Sequence, residues 1–182
     1  IIGYEVNISC PNIKKGGMEF GVNCDLTQEL TEKLRALTER LLIIKLSPNV
    51  TDIVEIAKSA ENAGADAVSA INTIVGMSID IHTRKSNVFT KYSGLSGPAI
   101  RPIGIASVYK LFQTIKIPII GIGGITNGED VLEYMIAGAS AVQVGTANYR
   151  DPGIAESIID DLKSYLEKNN YSSITEIVGK VV

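Results

Sequence analysis

The chain has 182 residues, 45% of them hydrophobic and 20% charged, with a formal net charge of -3. These values indicate one ordinary globular domain, or part of a larger one, and they exclude the basic surface that nucleic acid binding requires. No apolar run approaches the roughly 18 residues of a membrane helix. His82 stands alone and no Cys/His cluster has metal-ligand spacing, so we expect neither a membrane nor a metal site.

Strand-like segments are recognised as short, nearly continuous apolar runs. Such runs are typical of parallel strands that are covered on both faces. The five predicted strands are "YEVNIS" (4–9), "LLIIKLS" (41–47), "ADAVSAIN" (65–72), "IPIIGIGGI" (117–125) and "SAVQVGTAN" (140–148).

Helical patterns separate these strands. Leucines recur at helical spacing in the first helix, with Asp25 or Thr27 placed to cap it, and the second and fourth helices end at Gly64 and Gly138. The predicted helices are 26–41, 51–63, 102–115, 128–137, 154–168 and a short closing turn at 174–178. Regular alternation of strand and helix predicts a parallel sheet of the β/α type.

One connection is too long for this alternation. About thirty residues rich in Gly, Ser, Thr and Asn follow Asn72 and end before Pro102. We expect a functional excursion or a small hairpin there.

The unusual residues fall where the predicted strands end, which is where β/α proteins bind ligands. Glycines follow the last two strands, as Gly123 and Gly124 in "GIGGI" and as Gly145, before Thr146, in "QVGTA". Two adjacent glycine turns favour a phosphate site of a β/α barrel, although glycines also serve simply in tight turns. A doubly wound nucleotide-binding sheet is disfavoured, because no G-x-G-x-x-G follows the first strand.

Lys45 and Asn72 are polar residues at the ends of apolar strands. A lysine there requires an anion or acceptor, unless it extends past the sheet into water, and an asparagine suits an amide-like ligand as well as a turn. Cys10 ends the first strand among asparagines, in a setting open enough for a nucleophile or base, whereas most cysteines are inert. Cys24 lies in a Gly/Asn loop with no comparable setting.

Six segments together resemble one enzyme family over essentially the whole chain. They are "NISCPN", "IKLSPN", "INTIVGMSIDI", "YSGLSGPAIRP", "GIGGI" and "VQVGTA". Their order and spacing are similar to those of dihydroorotate dehydrogenases. The "NT-x-x-GM-x-ID" run, together with the cysteine in "SCPN", most resembles the NAD-linked class 1B catalytic subunit. The membrane-linked class 2 enzymes carry serine as the base instead.

The resemblance implies an FMN-binding (β/α)8 barrel that oxidises dihydroorotate to orotate in pyrimidine biosynthesis. It implies that Cys10 is the catalytic base. Because the excursion at 73–92 lies near the family's cysteine-bearing loop, which closes over the substrate, we hypothesise that the excursion covers the site against water. The implied substrate ligands are Asn7, Asn12, Asn72 and Thr73, and the implied FMN ligands are Lys45, Ile71, Gly97, Gly123, Gly124, Gly145 and Thr146.

The resemblance also bears on what surrounds this chain. A complete barrel has eight strands and roughly 250 residues, so we expect residues 1–182 to be a C-terminal portion of about five βα units, inactive alone, with three units before Ile1. We further expect a dimer of catalytic subunits in a hetero-oligomer, whose iron–sulfur flavoprotein partner supplies FAD, the cluster and access to NAD. The two cysteines and the absence of a leader favour a cytoplasmic location.

Other functions remain open at this level. One is another FMN barrel, such as a dihydropyrimidine dehydrogenase domain, which shares the cysteine. The others are a non-catalytic phosphate-binding partial barrel and a flavin-free barrel isomerase or synthase. Flavin colour and the choice of substrate would distinguish them.

Overall fold

The structure, a computed structural model, describes residues 1–9 and 20–182. Cys10 and Asn12 therefore lie outside the described residues. The first and last described strands lie in one sheet, so these residues form a single domain.

Five parallel strands form the main sheet, and their order in space follows their order in the chain. The strands are β1 (Gly3–Asn7), β2 (Leu41–Lys45), β3 (Ala67–Ala70), β8 (Ile119–Ile122) and β9 (Ala141–Gln143). Each predicted strand is present and parallel to its neighbours, and each is shorter than its apolar run. Every run loses residues at its carboxyl end, where the chain leads into a turn, and the last three runs also lose one or two residues at the amino end.

Helices follow the strands and cover the outer face of the sheet. Their bounds are α1 (Cys24–Leu37), α2 (Ile53–Asn62), α3 (Arg101–Phe112), α4 (Gly128–Ala137), α5 (Ala147–Arg150) and α6 (Ile154–Lys168). The core between sheet and helices is aliphatic, with Leu42, Ile44 and Val68 fully buried from the sheet side and Val108 and Leu111 from α3. Burial of this continuous apolar layer is the main stabilising contribution to the fold.

The prediction for the first helix is wrong at both ends. Asn23, rather than Asp25 or Thr27, caps the helix by accepting a hydrogen bond from the Leu26 N–H. Cys24 is therefore a helical residue and not part of a loop. The helix ends at Leu37, whose side chain is 82% exposed, so the leucine spacing does not mark the inner face at this end.

The other helix predictions agree more closely. The fourth and fifth predicted helices match α4 and α6 at both ends. The third starts at Arg101 and ends at Phe112, three residues before the predicted end, and the closing turn is a 3-10 helix, Ile174–Ile177.

The long connection folds into two antiparallel strand pairs, which confirms the hairpin prediction. The strands are β4 (Ile74–Gly76), β5 (Ile79–Asp80), β6 (Lys85–Ser86) and β7 (Ser93–Leu95). The β4–β7 pair encloses the β5–β6 pair. Both ends of the excursion therefore return to the carboxyl side of the main sheet.

The architecture is that of a partial (β/α)8 barrel, with five parallel strands inside and helices outside. None of the helices within residues 1–9 and 20–182 has the length and apolar character needed to cross a bilayer.

Candidate active site

A cavity of about 170 Å³ lies at the carboxyl ends of the parallel strands. Residues from the ends of β2, β3, β8 and β9 line it, together with the segment that follows the excursion. It brings together nine residues that the sequence singled out: Lys45, Ile71, Asn72, Thr73, Gly97, Gly123, Gly124, Gly145 and Thr146. Because these residues are up to a hundred positions apart, the fold alone accounts for their convergence.

Two asparagine side chains meet beside this cavity. Asn72 Nδ2 donates a 3.0 Å hydrogen bond to Asn7 Oδ1, across the intervening strand β2. Asn7 Oδ1 also accepts from the Ser9 N–H, and Asn72 Oδ1 accepts from the Thr73 N–H at 2.7 Å. Both amide oxygens are thus held by the protein, and among the described residues no acceptor takes the Asn7 amide N–H groups or the second N–H of Asn72, which leaves them to a ligand.

Asn49, which was not among the residues predicted to belong to the site, supports this arrangement. Its side chain donates to the Thr73 carbonyl oxygen at 2.9 Å and accepts from the Val75 N–H at 2.9 Å. The amide therefore fixes the backbone where the chain leaves the site for the excursion. The signal was available in the "IKLSPN" segment, where an asparagine follows the strand that carries Lys45.

Lys45 forms an ion pair with Glu5 on the neighbouring strand β1. The Nζ–Oε1 distance is 3.2 Å, and the two side chains are 21% and 26% exposed. The other carboxylate oxygen of Glu5 accepts from Gln143 Nε2 at 2.6 Å. The sequence predicts an acceptor for Lys45, and the structure identifies Glu5, a charged residue inside an apolar strand, as that acceptor in the protein.

Glycine turns form one side of the cavity, called the glycine wall here, which consists of Gly97, Gly123, Gly124 and Gly145. Gly97, Gly123 and Gly124 have φ angles of 92°, 129° and 73°, which favour glycine. Among the described residues, no acceptor takes a hydrogen bond from the N–H of Gly124, Gly145 or Thr146. Unpaired N–H groups on neighbouring turns are the features from which proteins build anion sites.

A second cavity, of about 320 Å³, adjoins the first and shares its glycine wall. Gly97, Gly124, Gly145 and Thr146 line both cavities, and Arg150 contributes a cation to the second. The Thr146 hydroxyl is 2.8 Å from the Ser96 hydroxyl, which ties the turn after β9 to the segment after the excursion. The two cavities are therefore neighbours on either side of the same glycine turns.

Two buried polar side chains of α4, Asp130 and Tyr134, hold the segment that contains the glycine turn after β8. Asp130 on α4 is almost fully buried, pairs with Arg101 on α3, and accepts from the Thr126 N–H and hydroxyl, each at 2.7 Å. Tyr134, one turn further along α4, donates to the Gly123 carbonyl oxygen at 2.8 Å. Neither group stood out in the sequence, because an acidic residue in a first turn and a tyrosine at helical spacing are ordinary features.

The remaining predictions concern Cys10, Asn12 and the excursion. Cys10 and Asn12 lie outside the described residues. The excursion contributes its two ends, at Thr73 and Ser96, to the first cavity, while its inner pair β5–β6 lines neither cavity. Within the described ranges, Cys, His, Asp and Glu side chains do not form a group of three suited to a metal ion.

The fold and cavity define a class: (β/α)-barrel proteins with a glycine-walled ligand site at the carboxyl ends of the strands. Residues 3–166 match the family model described as dihydroorotate dehydrogenase. The chain belongs to the dihydroorotate dehydrogenase family.

Relatives with known names agree with this assignment. The chain is 47% identical over 182 residues to the catalytic subunit of dihydroorotate dehydrogenase B (NAD(+)) from Geotalea uraniireducens, covering 100% of the chain and 60% of the relative. It is 50% identical to the subunit of the same name from Geotalea daltonii, covering 98% of the chain and 59% of the relative. The chain thus spans about 60% of the length of the curated relatives it matches.

A solved structure supports the fold. The crystal structure of DHODH from Eimeria tenella in complex with ferulenol matches with a TM-score of 0.78 and 26% identity. The match covers 98% of this chain and 54% of that one. The five-stranded sheet therefore corresponds to part of the barrel of a dihydroorotate dehydrogenase.

Proposed function

We propose that the protein takes part in the FMN-dependent oxidation of dihydroorotate to orotate, in pyrimidine biosynthesis. The observation that carries this proposal is that Asn72, Lys45 and the glycine turns line the same cavity. Family membership supports the same reaction, and residues 1–182 are proposed to supply an FMN-binding part of the barrel.

The glycine wall fits a phosphorylated flavin. A Cβ added at Gly97 or Gly145 would meet no atom within 4 Å, so the space beside these backbones is open to a ligand. The unpaired N–H groups of Gly124, Gly145 and Thr146 suit a phosphate, while Lys45 and Ile71 in the first cavity suit a polar and an apolar part of a planar ring. FMN, when bound, supplies the acceptor for the hydride that leaves C6 of dihydroorotate.

The chain's own residues have separate roles in this proposal. Asn7, Asn12 and Asn72, with Thr73, bind the pyrimidine ring and its carboxylate, because amides match alternating N–H and C=O groups. Cys10 removes the proton from C5 as the thiolate and becomes the thiol, so it has to be deprotonated before the step. The assignments of Cys10 and Asn12 rest on the sequence, and that of Asn72 also on the amide pair with Asn7.

A partner subunit completes the proposed enzyme. The relatives are named catalytic subunits of an NAD(+)-linked enzyme, which supports electron transfer through a second subunit. We propose that this partner is an iron–sulfur flavoprotein with FAD that reaches NAD, that two catalytic subunits pair within the assembly, and that the enzyme acts in the cytoplasm.

Anaerobic titration of the full-length protein with dihydroorotate tests the proposal. We expect a yellow protein whose flavin absorbance bleaches on addition of dihydroorotate and not on addition of dihydrouracil. A colourless protein, or bleaching by dihydrouracil alone, contradicts the proposed reaction.

The role of Cys10 is tested in the same titration with a matched pair of variants. Cys10→Ala should slow flavin reduction by a factor of about 100 or more, since general base catalysis contributes on that scale. Cys24→Ala, which removes a thiol at the start of α1, should reduce at the wild-type rate. Equal rates for both variants would exclude Cys10 as the base.

A further inference from the structure

Tyr134 lies fully buried beneath the glycine turn that follows β8. Its ring occupies space that two glycines leave free, because a Cβ on Gly104 or Gly121 would come within 2.0 or 2.4 Å of tyrosine atoms. The ring therefore has a fixed position. Its hydroxyl reaches the turn itself and lies 2.8 Å from the Gly123 carbonyl oxygen.

The Gly123 carbonyl oxygen depends on the Tyr134 hydroxyl for its hydrogen bond. The Ile122 carbonyl oxygen, 3.2 Å from the same hydroxyl, already accepts from the Ile71 N–H at 2.9 Å. Among the described residues, the Tyr134 hydroxyl is the one donor to the Gly123 oxygen. Of the two contacts of the Tyr134 hydroxyl, the hydrogen bond to the Gly123 oxygen is therefore the one that fixes the orientation of a carbonyl in the turn.

A peptide unit couples this contact to the ligand site. In a trans peptide the C=O of one residue and the N–H of the next point in opposite directions. Because Tyr134 holds the Gly123 oxygen toward α4, the Gly124 N–H is directed away from the core. Gly124 lines both cavities, and its N–H has no acceptor among the described residues.

The backbone of the turn permits a second orientation of this peptide. Gly123 and Gly124 have φ angles of 129° and 73°, and glycine also reaches the conformations that a flip of the peptide between them requires. A flipped peptide would turn a carbonyl oxygen toward the ligand and repel an anion. The Tyr134 hydrogen bond selects between the two orientations.

We propose that Tyr134 is a positioning residue that directs the Gly124 N–H at the phosphate group of the bound cofactor. The inference rests on the proposed FMN site and deepens it, because it names the side chain that keeps an N–H group, rather than a carbonyl oxygen, directed at the phosphate. Burial also raises the pKa of Tyr134 well above its ordinary value, which keeps the hydroxyl a donor.

The test compares FMN with riboflavin, which has the same ring and lacks the phosphate. Dissociation constants are measured by flavin fluorescence for the full-length wild type, Tyr134→Phe and Tyr165→Phe. Tyr165 is a partly buried tyrosine on α6 without a side-chain hydrogen bond among the described residues, so it controls for loss of a hydroxyl. Circular dichroism verifies that each variant is folded.

We expect Tyr134→Phe to weaken FMN about tenfold and riboflavin by less than about twofold, since one anion-directed hydrogen bond is lost. Tyr165→Phe should leave both constants unchanged. If Tyr134→Phe keeps the wild-type preference for FMN over riboflavin, the positioning role is wrong and the FMN site stands. If the wild type itself shows no preference for FMN, the phosphate site and this inference both fail.

A second measurement on the wild type does not depend on a folded variant. With carbonyl-labelled and nitrogen-labelled glycine, only Gly–Gly pairs give a correlated amide signal; residues 1–182 contain them at 16–17 and 123–124, and the spectrum of Gly124→Ala identifies the Gly124 signal. The Gly124 amide proton should shift downfield with FMN and not with riboflavin. An unchanged Gly124 signal with FMN overturns the inference.

Discussion

Glu5 and Gln143 are hydrogen-bonded to each other although they lie on the first and last strands of the five-stranded sheet. The Gln143 Nε2 to Glu5 Oε2 distance is 2.6 Å, and β2, β3 and β8 separate their strands in the sheet order. Side chains from opposite edges can meet only if the sheet is strongly curved. The contact therefore shows that the sheet follows the arc of a barrel, with polar groups on its concave side beside the ligand cavity.

The glycine wall gives the first prediction. Gly145→Ala should leave the free energy of unfolding within about 0.5 kcal/mol of wild type, because the added methyl meets no atom within 4 Å. It should weaken FMN binding at least about tenfold, because the methyl fills space beside the Thr146 N–H. Urea denaturation and flavin fluorescence measure the two effects.

Gly138→Ala is the contrasting variant. Gly138 has a φ of 119°, and its added Cβ would lie 2.2 Å from Phe112 Cγ, so about 2 kcal/mol of stability should be lost. The folded protein should bind FMN normally, because Gly138 ends α4 away from the cavity. If Gly145→Ala binds FMN as tightly as wild type, Gly145 does not line the FMN site.

The asparagine pair gives the second prediction. Asn72→Ala should lower kcat/KM for dihydroorotate by about 10- to 100-fold, because an amide that would bind the substrate is lost and Asn7 loses its partner. FMN affinity should change little. Steady-state kinetics are compared with Asn62→Ala, which removes an exposed amide at the end of α2. A fall of the same size in both variants would contradict a substrate role for Asn72.

The ion pair between Asp130 and Arg101 gives the third prediction. Asp130→Asn should reduce the free energy of unfolding by about 2 kcal/mol, because the partly buried Arg101 guanidinium loses the more buried of its two carboxylate partners and keeps only Glu133, at 3.1 Å. Glu129→Gln, an exposed neighbour in the same helical turn, should cost less than about 0.5 kcal/mol. Urea denaturation compares them, and similar losses would show that Asp130 is not a structural anchor.

The fourth prediction concerns pH. Burial would raise the pKa of Asp66, but hydrogen bonds from the Leu42 N–H and from Arg35 outweigh it, so the pKa lies below its ordinary value. A lowered pKa in the folded state contributes stability that is present above about pH 4 and is lost as the pH falls through the folded pKa.

Asp66→Asn should therefore lose stability at neutral pH and show a shallower decline on acidification than wild type. Unfolding free energies from pH 3 to pH 7 provide the measurement. Asp160→Asn, an exposed carboxylate on α6, reports the effect of removing a charge of the same sign. Parallel pH curves for wild type and Asp66→Asn would refute the assignment.

The helix α4 could be predicted at both ends because its limits are local. Asn127 caps its start and Gly138 supplies the left-handed residue at its end, and both signals act over a single turn. The first helix could not, since leucines continue at helical spacing into β2. Leu41 pairs with Gly3 in the sheet, and that long-range pairing overrides the spacing.

The candidate site shows the same contrast between features with a local sequence signal and features that depend on contacts between distant residues. That strand-end residues such as Lys45, Asn72 and Gly145 should meet follows from the alternation of strand and helix, because parallel strands present their carboxyl ends on one side. The partners of these residues do not follow from it. The Lys45–Glu5 ion pair and the Tyr134–Gly123 hydrogen bond join groups 40 and 11 residues apart with no local signal.

The sequence by itself thus determined the β/α alternation, the family and the residues that belong at the strand ends, since these depend on apolar periodicity and on residue type. Only the tertiary structure decided how those residues are held. The curvature that joins Glu5 to Gln143 and the peptide orientation set by Tyr134 arise from packing between distant segments. Such packing depends on distances in space, which the order of residues along a chain does not contain.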